Sequence, residues 1–362
     1  MASIKASRAQ DCQCQNGVGS TKSTILGVED RRDIPEDQPL QKTPNVNPSR
    51  NNALGNDSLH VSRLWTMMHK MVPPRPNPRA RSTRWSYAQM RPELMKAAET
   101  VTAEEAERRV LILVNQAIQA PYTTDTIYAG LQIVMPGEIA PAHRHRAFAL
   151  RFIIEGHAGF TAVAGEKITM RPGDVILTPS GAWHDHGNEG TEPIIWLDGL
   201  DLPLWQFLPI NFLQPYSEAR YPSKSSPEST LRFPWSDVAK KLDDNPSQHA
   251  TYLYKHRDGT HLSSTISAQA ERISPGFTTD ESQQVFSFVY HVYEGEGFTT
   301  ITHPSIGTEE KLQWNAKDTF SIPAWSVVSH TCTSNTHSAY LFAINDRPIV
   351  EALTFADAEF LT

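Results

Sequence analysis

Cysteine is scarce: Cys12, Cys14 and Cys332 are the three in 362 residues. An odd, small number builds no disulfide framework and suits a reducing compartment. Cys12 and Cys14 make no metal site alone, because two thiols in a polar tail lack further ligands. Long apolar runs are missing too. None reaches the ~20 residues that span a bilayer. The N-terminus has no apolar core of the signal-peptide kind, although it is short of acids and contains serine. The expectation is a cytoplasmic protein with no membrane partner. Lysine and arginine form no block dense enough to follow phosphates, and the net charge is -7, so no nucleic-acid partner is expected. What remains is a globular composition, 39% hydrophobic and 20% charged, long enough for two domain-sized cores.

Residues 1–55 are rich in Asn, Asp, Gln, Ser and Pro and poor in large apolar groups, which predicts a disordered tail. An extended and helical segment follows over 56–125, with order beginning near Leu64-Trp65. Prolines hold 71–78 extended. Residues 91–98 and 103–115 read as helices, the second opened by a capping box of Thr102 and Glu105. From Thr126 the pattern becomes short alternating strands punctuated by Gly and Pro, in two stretches, 126–205 and 260–350. A Pro- and Ser-rich linker, 206–259, joins them, with a helical turn at 237–242; a tail covers 351–362. The run Pro172-Gly-Asp-Val-Ile-Leu-Thr-Pro179 is mirrored by Ala316-Lys-Asp-Thr-Phe-Ser-Ile-Pro323, which predicts a tandem duplication. The fold class is mainly β: two tandem jelly-roll barrels with a few flanking helices.

The strongest local signal is Gly137-Glu-Ile-Ala-Pro-Ala-His143-Arg-His145. Residues two apart in a strand share a face, so both imidazoles can reach one metal. About 40 residues on, Gly173-Asp-Val-Ile-Leu-Thr-Pro179-Ser-Gly-Ala-Trp-His184-Asp-His186-Gly-Asn188 offers a third. A His-x-His pair alone is more often surface or core. The pair with His184, inside two glycine-punctuated strand motifs, points instead to three ligands that leave coordination positions open for catalysis. His186 shares a face with His184, but four imidazoles would crowd the site. It is read as a residue behind the ligands or at the substrate, against a structural role.

These two motifs resemble the cupin motifs. The second matches at Gly173, Pro179, Gly181, His184 and Asn188. The first matches at Gly137, His143, His145 and Gly156, and departs where the glutamate ligand is replaced by Ala149. The departure, together with Pro141-Ala-His-Arg-His145, Ala149-Leu-Arg-Phe-Ile-Ile-Glu-Gly156, Trp183-His-Asp-His-Gly-Asn-Glu189, Trp196-Leu-Asp-Gly-Leu-Asp201 and Tyr128-Ala-Gly-Leu-Gln132, is similar to the gentisate 1,2-dioxygenases and their salicylate- and 1-hydroxy-2-naphthoate-cleaving relatives. The likeness is strong over 63–205 and weak over 206–350. It implies a bicupin holding Fe(II) by three histidines, a small aromatic hydroxy acid and O2 as partners, and a homo-oligomer, a tetramer in the family. Relatives use the positions of Gln132 and Tyr128 to line the pocket, though many carry Trp at the latter and polar groups where Ala147 and Phe148 stand.

Three neutral imidazoles leave the metal its full double positive charge, which a 2-hydroxybenzoate neutralises through carboxylate and phenolate. By parity, Ala147, Ala149 and Arg151 face the way of His143 and His145 if the strand is unbroken. The alanines then clear space, and Arg151, unusual within an apolar strand, can fork onto a carboxylate. Asp198 lies among apolar residues. It is placed to orient an imidazole or to take a substrate proton, or else to cap a turn before Gly199. The second stretch has Ser282, Gln284 and Val328 at the ligand positions, with His291 and His330 isolated, so it is expected to be structural or interfacial. The expected reaction is gentisate 1,2-dioxygenation to maleylpyruvate. The alternatives are cleavage of salicylate or 1-hydroxy-2-naphthoate, and a small-molecule-binding cupin without turnover.

Overall fold

A computed structural model describes residues 60–304 and 307–353; the predicted tail over 1–55, Cys12 and Cys14 lie outside them. Met1–Met68 and His69–Thr362 form two units. Described residues of the first unit include the start of α1 (Leu64–Met71). The second unit begins with β1 (Thr83–Trp85), α2 (Tyr87–Thr100), α3 (Ala103–Ala106) and β2 (Arg109–Ile112). Eight strands follow: β3 (Tyr128–Val134), β4 (Ile139–His145), β5 (Ala149–Glu155), β6 (Gly159–Val163), β7 (Glu166–Thr169), β8 (Val175–Thr178), β9 (His184–Asn188) and β10 (Ile194–Leu200). The connection supplies α4 (Leu202–Trp205), β11 (Leu213–Pro215), β12 (Lys224–Ser225), β13 (Arg232–Phe233), α5 (Trp235–Asp243) and β14 (His249–Leu253). The rest is β15 (Ser267–Ile273), β16 (Ser282–Gln283), β17 (Phe288–Glu294), β18 (Glu296–Thr302), β19 (Glu309–Asn315), β20 (Thr319–Ile322), β21 (Val327–Cys332), β22 (Ala339–Asn345) and α6 (Arg347–Leu353). Among the described residues no helix is long and apolar enough to cross a membrane.

The strands form two jelly rolls of the same plan. In the first, a sheet in the order β13-β8-β5-β10-β3-β2 faces one in the order β11-β4-β9-β6-β7-β12. In the second, β1-β20-β17-β22-β15-β14 faces β16-β21-β18-β19. The two runs singled out as duplicated fall on β8 and β20, beside β5 and β17, at equivalent places. Strands of two and three residues from the 206–259 connection complete the first barrel, and β14 completes the second. Such short strands carry too little alternation to show in a sequence. The reading of 91–98 as helix holds within α2, and 237–242 within α5. The capping box of Thr102 and Glu105 is present, yet the helix it opens ends at Ala106 and does not run to 115. The β-branched and aliphatic run Val110-Leu111-Ile112 instead pairs with β3, because strand pairing rewards such side chains more than an isolated helical turn does.

The largest apolar cluster lies between the sheet β13-β8-β5-β10-β3-β2 of the first barrel and the sheet β1-β20-β17-β22-β15-β14 of the second. Leu150, Phe152, Leu131 and Leu197 from the first barrel join Ala268, Val289, Phe342 and Ile344 from the second. Phe152 stacks on Phe342 with centroids 4.4 Å apart. Alternation along β5 therefore sends Leu150 and Phe152 to this shared core and leaves Arg151 on the inner face of the first barrel. A separate cluster including Ile153, Ile168, Ile176, Ile194 and Trp196 fills the closed end of that barrel.

Candidate metal centre and active site

β4 and β9 pair antiparallel with His143 directly opposite His184. His145 follows two residues on, on the same face. The three imidazoles offer nitrogen atoms that all lie within 4.8 Å of one another. Each ring is oriented by a carbonyl two residues away. His145 Nδ1 lies 2.8 Å from the Ala147 oxygen, His184 Nδ1 lies 3.0 Å from the Ala182 oxygen, and His143 bonds the Pro141 backbone. A Nδ1–H donated to a carbonyl leaves the Nε2 lone pair free for a metal.

Electrostatics keeps these rings neutral. Burial first, then the charge of Arg108, pushes His143 down to about 2. Burial, with Arg151 and Arg108 adding to it, pushes His145 down to about 4, and burial lowers His184 as well. Three clustered, neutral, carbonyl-oriented imidazoles fit a divalent metal that needs nitrogen lone pairs rather than imidazolium.

The same shifts fix the sign of a pH effect on the metal-free chain. His143, His145, His184, His186, His291, His303 and His330 are all lowered in the fold, chiefly by burial. Below about 6.5 the unfolded chain therefore binds protons that the fold refuses, and stability is lost as pH falls. His249 moves up, through Glu271 against the opposing effect of burial. Its contribution is present at low pH and lost as pH rises, but it is one group against seven. After chelator dialysis, the melting temperature is expected to fall steadily from pH 6.5 to 5. A flat profile from pH 7.5 to 5 would refute the buried neutral state.

The cavity over the histidines measures about 510 Å³. Seven of the eight residues singled out from the sequence line it: His143, His145, His184, Arg151, Asp198, Gln132 and Tyr128. Arg151 does not reach it as a continuation of the His143 strand. β4 and β5 are separate strands in facing sheets, so the common site comes from closure of the barrel. Asp198 caps no turn: it stands mid-strand in β10, opposite Arg151 of β5, with Arg151 Nε 3.1 Å from its Oδ1. Burial raises its pKa while Arg151 opposes the shift. Thr178 accepts a further bond from Arg151 Nη1. Gln132 is buried and its Nε2 has no partner. Gly130 of β3 leaves room beside these groups: a Cβ there would meet Val110 Cγ1 at 2.6 Å and Tyr128 Oη at 3.0 Å. His186 stands apart, behind the ligands, with its ring 5.6 Å from His184 and 5.3 Å from Trp196 and neither nitrogen bonded.

One cationic lining residue was not singled out from the sequence. Arg108 faces the cavity just before β2 and donates from Nη2 to the Pro141 oxygen at 2.8 Å. Burial, then Arg151, brings its pKa down to about 10, so it remains a cation at neutral pH. The Val110-Leu111-Ile112 run, read as a strand, would have placed it at a barrel rim; read as helix, it was one arginine among several. Much of the remaining wall is apolar, including Val110, Ile112, Ala147, Leu200, Leu202 and Phe212, with Glu107 and Asn211 as polar members.

Known proteins share this arrangement. The cupin domain family matches residues 130–200. Gentisate 1,2-dioxygenase 1 of Aquipseudomonas alcaligenes is 33% identical over 83% of this chain and 92% of its own length. The 5-aminosalicylate 1,2-dioxygenase of a Comamonas species is 32% identical over 82% of this chain and 88% of its own. The crystal structure of salicylate 1,2-dioxygenase from Pseudoaminobacter salicylatoxidans, in adducts with gentisate, superimposes with a TM-score of 0.76 at 26% identity, covering 86% of this chain and 94% of that one. Barrel plan, three-histidine cluster and relatives agree: this chain belongs to the gentisate 1,2-dioxygenase family, the bicupin ring-cleaving dioxygenases, and is a metal-dependent oxygenase.

Proposed function

We propose that the metal is Fe(II), held by His143, His145 and His184, and that the substrate is gentisate, 2,5-dihydroxybenzoate, opened to maleylpyruvate with both atoms of O2. The observation that carries this reading is the pairing, in one cavity, of a neutral three-imidazole cluster with two guanidinium groups, Arg151 and Arg108. The iron, when bound, supplies a redox centre with open positions for O2 and for an ortho-hydroxy acid. The arginines balance the substrate carboxylate, and the planar fork of Arg151 sets the plane of the ring. Asp198, raised by burial, is the group that accepts the ring hydroxyl proton, with Arg151 beside it limiting the cost of its charge. Gln132 offers its unpartnered amide as a donor to a ring oxygen. Burial keeps the Tyr128 phenol protonated on the same strand as Gln132. His186 braces His184 from behind and acts through it as a positioning residue.

A hydroxyl para to the first makes the gentisate ring easier to oxidise, so gentisate asks least of the protein. The apolar walls around Ala147 favour a second reading, a salicylate-type or fused-ring substrate. Oxygen uptake at limiting gentisate, salicylate and 1-hydroxy-2-naphthoate separates them. Gentisate is expected to give the highest kcat/KM. A faster salicylate or naphthoate would displace it, and no uptake with any of the three would favour a binding protein without turnover.

A further inference from the structure

The second barrel keeps a cavity where the first holds its histidines. Ser282 stands opposite Val328 across β16 and β21, just as His143 stands opposite His184 across β4 and β9. With Ser282, Gln284 and Val328 there, the place offers no metal ligand set. Simple decay of a metal site would let apolar side chains fill the space, since buried charge is costly. Instead a cavity of about 290 Å³ remains, lined by polar groups. At its floor Glu271, 3% exposed, holds His249 Nε2 at 2.7 Å through one oxygen. Its other oxygen accepts from Gln269 Nε2 at 2.8 Å and from Tyr290 Oη at 3.0 Å. The bond to Glu271 fixes which end of the Gln269 amide is nitrogen. Gln269 is 7% exposed and lines the cavity, and its Oε1 is buried with no partner.

His330, also lining the cavity, provides the complementary group. Thr299 Oγ1 accepts from Trp314 Nε1 at 3.0 Å and lies 2.8 Å from His330 Nδ1. Thr299 is fully buried and its hydroxyl has no other acceptor among the described hydrogen bonds, so its proton goes to Nδ1, which puts the ring proton on Nε2 as a donor. Gln269 and His330 thus offer one free acceptor and one donor, and the lining charges offset in pairs, Glu271 with His249 and Asp280 with Arg347, whose Nη1 also lies 3.8 Å from Glu351. Phe288, Tyr290, Leu253 and Val328 supply apolar wall.

We propose that this cavity binds a small uncharged phenol, its hydroxyl donating to Gln269 Oε1 and accepting from His330 Nε2. A hydroxyl does both through a single oxygen. A carboxylate has no proton for Gln269 and would sit beside Glu271, while an ammonium has no acceptor for His330. The aromatic ring lies against Phe288 and Tyr290.

Calorimetric titration of the metal-loaded full chain with phenol, benzoate, benzylamine and benzene tests this. One phenol per chain is expected to bind at this site, at least tenfold more tightly than the other three. Gln269→Leu removes the acceptor and Val328→Phe fills the space. Each is expected to weaken phenol at least tenfold while aromatic-acid turnover stays within twofold of the parent, which also reports that the variant is folded. Arg151→Met, in the first barrel, leaves this phenol binding unchanged. The proposal is overturned by no phenol heat, by benzene or benzoate binding as well as phenol, or by phenol binding that survives both second-barrel variants.

Discussion

His184→Ala is expected to strip the metal and abolish oxygenase turnover together. The wild-type chain should hold one metal ion, not two, because the second barrel carries Ser282, Gln284 and Val328 where ligands would stand. Zinc bound by four protein ligands is worth about 10–16 kcal/mol, roughly 3 kcal/mol for each ligand, so losing one of three imidazoles weakens the metal more than about a hundredfold. The structure sharpens the expectation, since His184 stands directly opposite His143 and its ring is 4.3 Å from that of His143. Elemental analysis after reconstitution and oxygen uptake are the two readouts. A variant that keeps one tightly held metal while losing turnover would move His184 out of the ligand set, and two metals in the parent would refute the one-site assignment.

Arg151→Met should leave the metal in place, weaken the aromatic acid and destabilise the fold. A lost charged hydrogen bond is worth about 1.5–3 kcal/mol, so affinity should fall ten- to a hundredfold. The stability loss has another cause. Asp198 is buried on a strand between β5 and β3, and its charged partner is the Arg151 guanidinium. Removing one member of a buried pair costs about 3–5 kcal/mol, because the other is left uncompensated. Adding Asp198→Leu should therefore recover most of the melting temperature and none of the substrate affinity. If the double variant melts as low as the single one, the pair is not what the arginine supports. If the single variant binds the acid normally, Arg151 is structural.

How much could be read in the sequence depended on how locally each feature is encoded. His143, His145 and His184 sit in two strands with fixed spacing, and the cross-strand register that unites them is supported by glycine turns such as Gly181, whose φ of 77° few other residues adopt and whose N–H donates to the His145 oxygen. Arg151 was found by a parity argument whose premise, an unbroken strand, does not hold; it reaches the cavity because two facing sheets close around it. Arg108 was hidden because a genuine capping box at Thr102 suggested a longer helix than tertiary pairing allows. Strands β11, β12 and β13 were illegible, being two or three residues long and defined by their partners. Nothing in the spacing of Gln269, Glu271 and His330 announces a cavity, since the strands that carry them lie far apart in the chain.

The order in which the chain visits its barrels has a further consequence. β1, near the start, pairs with β20 of the second barrel, Thr83 opposite Ser321, while everything between builds the first barrel and most of the second. As the chain emerges during synthesis, the first barrel can close with its histidines in place while Thr83–Trp85 still lacks its neighbour. Closing so long a loop is entropically slow and comes late. Once made, it sews the beginning of the chain to its end across the whole oxygenase. No cut in the connection between the barrels yields two self-sufficient halves, and loss of order in the second barrel would be felt at the three-histidine one as a loss of cooperativity rather than as a local event.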